Sequence, residues 1–313
     1  MKIGIDILGG DFAPDATILG SIMAYREIPK DIRLVLIGDE EKIRAVCKEQ
    51  NVDPSVFDIV HTTECIGMNE HPAKAFSQKP KSSIAIGFHL LEKGGIQGFA
   101  SAGNTGAMLV AAMYTIKTIP GILRPVIGSH IPNNTAKQAI ILDVGLNPDA
   151  KPEVLHQYAL IGSLYAQHVF DIKNPRVALL NIGEEEEKGN LVCKAVYPML
   201  KESKNINFVG NIEGNNLLHE DCADVIVCDG FVGNIVLKQA EAVYSMMKDL
   251  NFKHEVLEKL NYENVGGTPI LGVNNVAIIG HGKSNAKAIC SMIKQTIQIS
   301  KSDLIAKINE AFK

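Results

Sequence analysis

Short apolar runs rich in Val, Ile and Leu recur along this chain, and longer stretches with helical spacing separate them. Strands are expected at 3–8, 33–37, 57–61, 98–100, 126–131, 139–144, 176–181, 207–209, 225–228 and 277–279. Several of these runs are apolar at nearly every position, as in strands buried on both faces. Helices are expected at 14–25, 40–49, 83–92, 105–115, 151–169, 190–201 and 284–300. The stretch 238–264 also patterns as helix, with Val243, Met246, Met247 and Leu250 on one side. Such alternation predicts an α/β layered fold with a largely parallel sheet. Ligands of such sheets gather beyond the carboxyl ends of the strands.

Four small-residue junctions fall at those ends. They are Ser101-Ala102-Gly103-Asn104-Thr105-Gly106, Asn181-Ile182-Gly183 with Lys188-Gly189-Asn190, Cys228-Asp229-Gly230-Phe231-Val232-Gly233-Asn234, and Gly280-His281-Gly282-Lys283-Ser284. Small residues let the backbone turn tightly and aim its N–H groups at an anion. Carboxylates mark the strand ends too: Asp6, Asp11, Asp143, Glu213 and Asp229. The amides Asn104, Asn147, Asn181, Asn190 and Asn234 cluster in the same places. Capping and turn formation explain any one of these residues. Together they are candidates for orienting Lys and Asn donors, or for holding Mg²⁺ against a phosphate. Lys188 and Lys238 are candidate point charges for phosphate, and Lys238 lies one helical turn past Asn234. His281 sits in a glycine turn after a strand. The acidic run Glu184-Glu185-Glu186-Glu187 is expected as a solvated helix start.

Composition narrows the classes. With 313 residues, 46% of them hydrophobic, the chain can build a large core or two lobes. We expect one two-lobed catalytic domain over 1–313, with 239–264 as a variable helical segment. A net charge of −4 argues against a nucleic-acid-coating surface. The six cysteines form no C-x-x-C pair and no zinc spacing, so reduced thiols are expected. The N-terminus lacks a signal-peptide core, and no apolar run approaches the ~20 residues that span a bilayer. A cytoplasmic protein is the expectation. Gly282-Lys283-Ser284 is not a P-loop, because Ala277 stands where its first glycine belongs. Gly280-x-Gly282-x-x-Asn285 lacks the third small residue of a dinucleotide fingerprint. Gly-x-Ser-x-Gly is absent and no cysteine stands out as activated. The pattern therefore points to anion binding, with no cofactor, no metal and no protein nucleophile expected.

The junctions in this order resemble the PlsX family of phosphate acyltransferases (acyl-acyl carrier protein:phosphate acyltransferases). The matching blocks begin at Gly9-Gly10-Asp11-Phe12-Ala13-Pro14 and Ser101-Ala102-Gly103-Asn104-Thr105-Gly106-Ala107. They continue through Leu142-Asp143-Val144-Gly145 with Asn147, Asn181-Ile182-Gly183 with Lys188-Gly189-Asn190, and Gly210-Asn211-Ile212-Glu213-Gly214. The last are Cys228-Asp229-Gly230-Phe231-Val232-Gly233-Asn234, Gly266-Gly267 with Leu271-Gly272-Val273, and His281-Gly282-Lys283-Ser284. Leu8, Ser77 and Leu146 depart from the family's usual residues. The 239–264 segment is shorter and more acidic than in many relatives, which carry there an apolar, basic hairpin linked to membrane association.

The resemblance implies a homodimer with a three-layer α/β/α core and a largely parallel, mixed sheet. That two-lobed core is shared with phosphate acetyltransferases and the isocitrate/isopropylmalate dehydrogenase-like group. It implies transfer of a fatty acyl group from acyl carrier protein to inorganic phosphate for phospholipid synthesis. The acyl phosphate would pass to the membrane glycerol-3-phosphate acyltransferase, with the enzyme cytoplasmic or peripheral at the inner face of the cell membrane. Candidate catalytic residues are then Lys188, His281, Asn234, Lys238 and Asp229. Candidate phosphate- and acyl-binding residues are Asp6, Asp11, Ser101, Asn104, Thr105, Asp143, Asn147, Asn181, Asn190, Glu213 and Ser284. Met108, Leu109, Met113 and the 243–250 stripe are candidates for an acyl groove, and Lys74, Lys79, Lys81, Lys117 and Arg124 for docking the acidic carrier protein. Other readings are an acyl-CoA-using phosphate acetyltransferase-like enzyme, a nicotinamide-dependent decarboxylating dehydrogenase, and a non-catalytic scaffold that binds carrier protein.

Overall fold

A computed structural model describes residues 1–132, 138–219, 222–252, 254–258 and 260–313. In chain order the elements begin β1 (Lys2–Asp6), α1 (Asp15–Glu27), β2 (Arg33–Gly38), α2 (Glu40–Glu49), β3 (Asp58–His61), α3 (Pro72–Gln78), α4 (Ser83–Glu92), β4 (Gly98–Ser101) and α5 (Thr105–Ala111). They continue with β5 (Val126–Pro132), β6 (Gln138–Leu142), α6 (Pro152–Val169), β7 (Arg176–Asn181), α7 (Leu191–Glu202), β8 (Asn207–Glu213), β9 (Val225–Val227) and α8 (Gly230–Asp249). The last are α9 (Glu255–Glu258), α10 (Tyr262–Val265), β10 (Thr268–Leu271), β11 (Val276–Ile279), α11 (Ala286–Lys301) and α12 (Leu304–Ala311). They form two compact units, one of Met1–Thr118 with Tyr262–Lys301, the other of Ile119–Asn261 with Ser302–Lys313.

In the first unit the strand order is β3-β2-β1-β4-β11-β10. All pairs are parallel except β10 with β11. The central strands bury Ile3, Ile5, Leu34, Leu36 and Phe99 completely or nearly so, as runs apolar at every position require. Phe99 meets Phe88 of α4 edge to face, 5.3 Å between centroids. Helix α11 packs against α1 and the strands β1, β4 and β11, while α4 packs on β1, β2 and β4.

In the second unit the order is β5-β6-β9-β7-β8, with only β5 and β6 antiparallel. Helix α6 buries Tyr158, Ile161 and Tyr165 against β6, β7 and β9. Both units are thus α/β with largely parallel, mixed sheets.

The expected strands are all present, most within a residue or two of their predicted ends. Four differences are instructive. Strand β10 was not expected, because Pro269 and the flanking Gly266, Gly267 and Gly272 read as turn; it survives as an antiparallel partner of β11. Helix α8 begins at Gly230, not 238. Its Gly230 and Gly233 look like loop residues, yet smallness there is a packing requirement: a Cβ on Gly230 would sit 2.9 Å from the Asn147 backbone nitrogen. The helix ends at Asp249, and Asn251, two residues on, takes the left-handed conformation that stops a helix. Within the expected 238–264 helix, residues 253 and 259 lie outside the described residues. The acidic run 184–187 is loop, and α7 starts only after Asn190; Glu186 pairs with Lys201 at 2.7 Å. Helices α3 and α12 were also unexpected.

His130 of β5 illustrates a cost inside the second unit. Its Nε2 lies 2.8 Å from the Tyr165 hydroxyl, and its ring meets Phe170 at 5.0 Å. Burial holds the imidazole down to about 4 from an ordinary 6.5. Between those values the unfolded chain binds a proton that the folded chain refuses. Stability therefore falls as pH drops through the window. Unfolding by urea at pH 7 and pH 4.5 should show wild type losing about 2 kcal/mol more than His130→Gln; equal losses would contradict this.

Candidate functional site

In the first unit β1, β4 and β11 lie side by side, so their carboxyl ends are neighbours. Asp6 closes β1 and is buried. Its carboxylate accepts from the Ser101 hydroxyl at 2.6 Å and from the Leu8 N–H at 3.0 Å. Ser101 closes β4, and its oxygen accepts from the Gly103 N–H at 3.0 Å. Burial pushes the Asp6 carboxyl above the usual range, and hydrogen bonds from Ser101, Ser83 and the backbone at Leu8 and Gly9 pull it back. Asn104 is also turned inward. Its oxygen caps α5 through the Ala107 N–H at 3.0 Å. Its amide nitrogen donates to the carbonyls of Gly67, Met68 and Glu70 at 3.0–3.1 Å. One side chain thus holds the 67–70 loop on the start of α5. Thr105 is exposed at the first position of that helix.

The turn after β11 completes this cluster. Gly280 N–H donates to the Ser101 carbonyl and Asp11 N–H to the Gly282 carbonyl, both at 2.8 Å. His281 Nδ1 accepts from the Lys283 N–H at 3.1 Å. The Ser284 hydroxyl is buried and has no hydrogen-bond partner among the described residues. Helix α11 starts at Ala286 rather than 284, because the Asn285 oxygen takes the Ala288 N–H. Asp6, Asp11, Ser101, Asn104, Thr105, His281 and Ser284 therefore gather at three adjacent strand ends of this unit.

In the second unit Asp143 follows β6 and is fully buried. Its two oxygens accept from the N–H groups of Gly145, Leu146 and Asn147 at 3.1, 3.1 and 2.7 Å, and from the Asn147 amide at 3.0 Å. Burial pushes this carboxyl up while those donors oppose it. Asn147 also donates to the Pro125 carbonyl at 2.9 Å and accepts from Arg124 at 3.5 Å. Its own carbonyl receives the Gly230 N–H at 2.9 Å. Asp229 caps α8 through the Val232 N–H at 2.8 Å, and Asn234 donates to the Val144 carbonyl at 3.1 Å. The first turns of α8 are thus seated on the 143–147 turn.

Strand β7 lies beside β9 with Leu179 opposite Val227, so Asn181 is level with Asp229. Asn181 holds the 182–189 loop, which carries Lys188, through the Lys188 carbonyl at 3.1 Å. The Lys188 ammonium lies 4.0 Å from Glu185 and is exposed. Asn190 caps α7 through the Cys193 N–H. Glu213 ends β8 opposite Asn181. Lys238, by contrast, is engaged on its own helix with Glu241 at 2.9 Å, while Asn234 turns to the 143–147 turn. Sequence reasoning missed Ser83, the 67–70 loop and Asn211; none is announced by a strand end. Arg124, expected only as a docking residue, rests on Asn147.

This arrangement orders the turns at the strand ends of each unit and leaves the Lys188 ammonium exposed at its ion pair with Glu185. It offers no activated thiol among the shifted cysteines. Burial pushes the thiols of Cys47, Cys193, Cys228 and Cys290 up, and that of Cys222 to about 11, which keeps them protonated. Among the described residues no cluster of His, Cys, Asp and Glu is placed to hold a metal ion.

Comparison with known proteins gives this geometry a family. A family model described as fatty acid synthesis protein matches residues 1–307. A phosphate acyltransferase of Dictyoglomus turgidum is 42% identical over 99% of this chain and 97% of its own length. One of Bacillus cereus is 40% identical over 99% and 97%. Among solved structures, EutD phosphotransacetylase from Staphylococcus aureus superposes with a TM-score of 0.64 at 16% identity, covering 96% of this chain and 94% of that one. A branched-chain phosphotransacylase from Enterococcus faecalis V583 gives 0.64 at 12%, covering 96% and 99%. At such identities these two likenesses are of fold. The chain belongs to the phosphate acyltransferase family, and it is a transferase of acyl groups to phosphate in fatty acid and phospholipid synthesis.

Proposed function

We propose that the acyl donor is a fatty acyl thioester of acyl carrier protein, and that the products are acyl phosphate and free carrier protein. The phosphate half of this reading rests on one observation. In the second unit Lys188, on a tied loop after β7, and the Asp229-capped start of the 20-residue helix α8, after β9, stand at adjacent strand ends. A cation beside a helix N-terminus favours a phosphate.

The chemistry suits these residues. Hydrogen phosphate already exposes ionised oxygens, so no strong base is required. One oxygen adds to the thioester carbonyl carbon. The tetrahedral oxyanion collapses, the C–S bond breaks, and the proton of hydrogen phosphate ends on sulfur. A thiol with an ordinary pKa near ~8.5 leaves readily. What remains for the protein is positioning and charge stabilisation. Lys188 neutralises phosphate, with Lys238 as a second charge once Glu241 yields. Asp143 fixes the 143–147 turn and Asp229 caps the start of α8, and Asn234 anchors α8 to that turn. In the first unit Asp6, Ser101 and Asn104 order a separate set of turns at 103–105 and 281–284. The carrier protein is acidic, and the exposed Lys74, Lys81 and Lys117 suit it; Lys79 is taken by Glu70 at 2.6 Å. The reading includes a homodimer and delivery of acyl phosphate to the membrane glycerol-3-phosphate acyltransferase. Among the described residues no helix is long and apolar enough to cross a membrane.

Thiol release from palmitoyl-acyl carrier protein should require inorganic phosphate and yield a hydroxamate with hydroxylamine. Lys188→Ala and Asn234→Ala should each lower kcat by about 10-fold or more, as loss of one oriented group does. Release only from acyl-CoA, or without phosphate, would contradict the assignment. Raising salt from about 0.05 to about 0.5 M should weaken carrier-protein binding by about 10-fold while leaving turnover of palmitoyl-CoA unchanged; a flat response would remove the electrostatic docking.

A further inference from the structure

Lys188 lies on a loop of small and acidic residues with little apolar anchorage. Something else must fix it. Two asparagines on neighbouring strands do so. Asn181, the last residue of β7, donates through Nδ2 to the Lys188 carbonyl and to Asn211 Oδ1, both at 3.1 Å. Its oxygen accepts from the Ile182 N–H at 2.9 Å. Asn211, on β8, donates through Nδ2 to the Glu185 carbonyl at 2.8 Å. That same carbonyl accepts the Lys188 N–H at 3.1 Å. The turn from Glu185 to Lys188 is therefore held at both ends, each by one amide, and the two amides are bonded to each other.

The placement of Asn211 depends on an irregularity in β8. Val177 pairs with Phe208, but Ala178 pairs with Gly210, so Val209 is an extra residue. Gly210 has φ +102°, a conformation that glycine adopts at no steric cost. A slip of one residue turns every following side chain to the other face of a strand. The bulge therefore brings Asn211 onto the face of Asn181 and under the loop. Without it, Asn211 would point away and the Glu185 carbonyl would lose its second donor.

We infer that Asn211 is a positioning residue of the transferase: it acts through the Glu185–Lys188 turn to hold the Lys188 ammonium where phosphate binds. This rests on the proposed role of Lys188. The bond between the amides couples the two ends, so loss of either asparagine frees its own end and loosens the other. A displacement of about 1 Å at a reacting group costs about 10²-fold in rate.

The test compares Asn211→Ala, the isosteric Asn211→Asp, Lys188→Ala and the double variant Lys188→Ala with Asn211→Ala, by phosphate-dependent thiol release from palmitoyl-acyl carrier protein. Asn211→Asp keeps the acceptor for Asn181 and removes only the donor to Glu185. Each Asn211 variant should lose about 10- to 100-fold in kcat, and the double variant should match Lys188→Ala within about 2-fold, because both changes act through one group. Amide hydrogen exchange over 182–189 should quicken by about 10-fold in Asn211→Asp while 139–144 stays unchanged. Wild-type turnover in both Asn211 variants, beside an impaired Lys188→Ala, would overturn this inference alone. So would a full additional loss in the double variant, or unchanged exchange over 182–189. Wild-type turnover in Lys188→Ala would overturn the role of Lys188 itself and this inference with it.

Discussion

A buried carboxylate at the end of a parallel strand is the constraint on which each unit's cluster depends. Taking a carboxylate out of water costs several kcal/mol unless donors surround it. Asp143 meets this cost with four donors, three of them successive backbone N–H groups. Those bonds leave the 143–147 turn one shape, and the start of α8 is built on that shape through Asn147 and Asn234. Asp6 plays the same part in the first unit, with Ser101 and the 8–9 backbone as its donors. Each turn is held from beneath.

That arrangement suits a reaction whose nucleophile comes from solution. In the proposed reaction phosphate brings its own charge and the thioester its own leaving group. A protein that supplies oriented N–H groups, a lysine and a helix N-terminus accelerates such a transfer by prearranged electrostatics. It has no need of a triad. The cysteines nearest the second cluster, Cys193 and Cys228, are pushed up by burial and by neighbouring carboxylates, which makes them poor nucleophiles. The same economy explains why so many asparagines sit at the strand ends. A neutral amide ties a turn from both sides without competing with the anion as a carboxylate would.

Much of the fold was legible because apolar runs and capping residues are local signals. The helices Glu40–Glu49 and Ser83–Glu92 and the strand Arg176–Asn181 fall where patterning places them. Signals that depend on a partner were not legible. Gly230 reads as loop until Asn147 is seen pressed against it, and Thr268–Leu271 reads as turn until β11 lies beside it. The site shows the same division. Residue types at strand ends were apparent from sequence, so Asp6, Asp143 and Asn104 stood out. Their direction was not: Asn104 looks like a ligand-facing amide, yet its side chain ties down the 67–70 loop and α5. Asn211 was invisible as a site residue because its face is decided by a bulge, which no hydrophobic period reveals. The exposed stripe on α8, where Met246 and Leu250 are more than half accessible, matches its amphipathic pattern but is left uncovered in the single chain.

In the proposed reaction phosphate attacks a bound thioester directly, and no acyl group is ever carried on the protein. Intact-mass spectrometry of the enzyme incubated with palmitoyl-acyl carrier protein in phosphate-free buffer tests it most directly. An unmodified mass, with acyl transfer beginning only when phosphate is added, is the result this account predicts. A palmitoyl adduct on the enzyme that phosphate then discharges would contradict it.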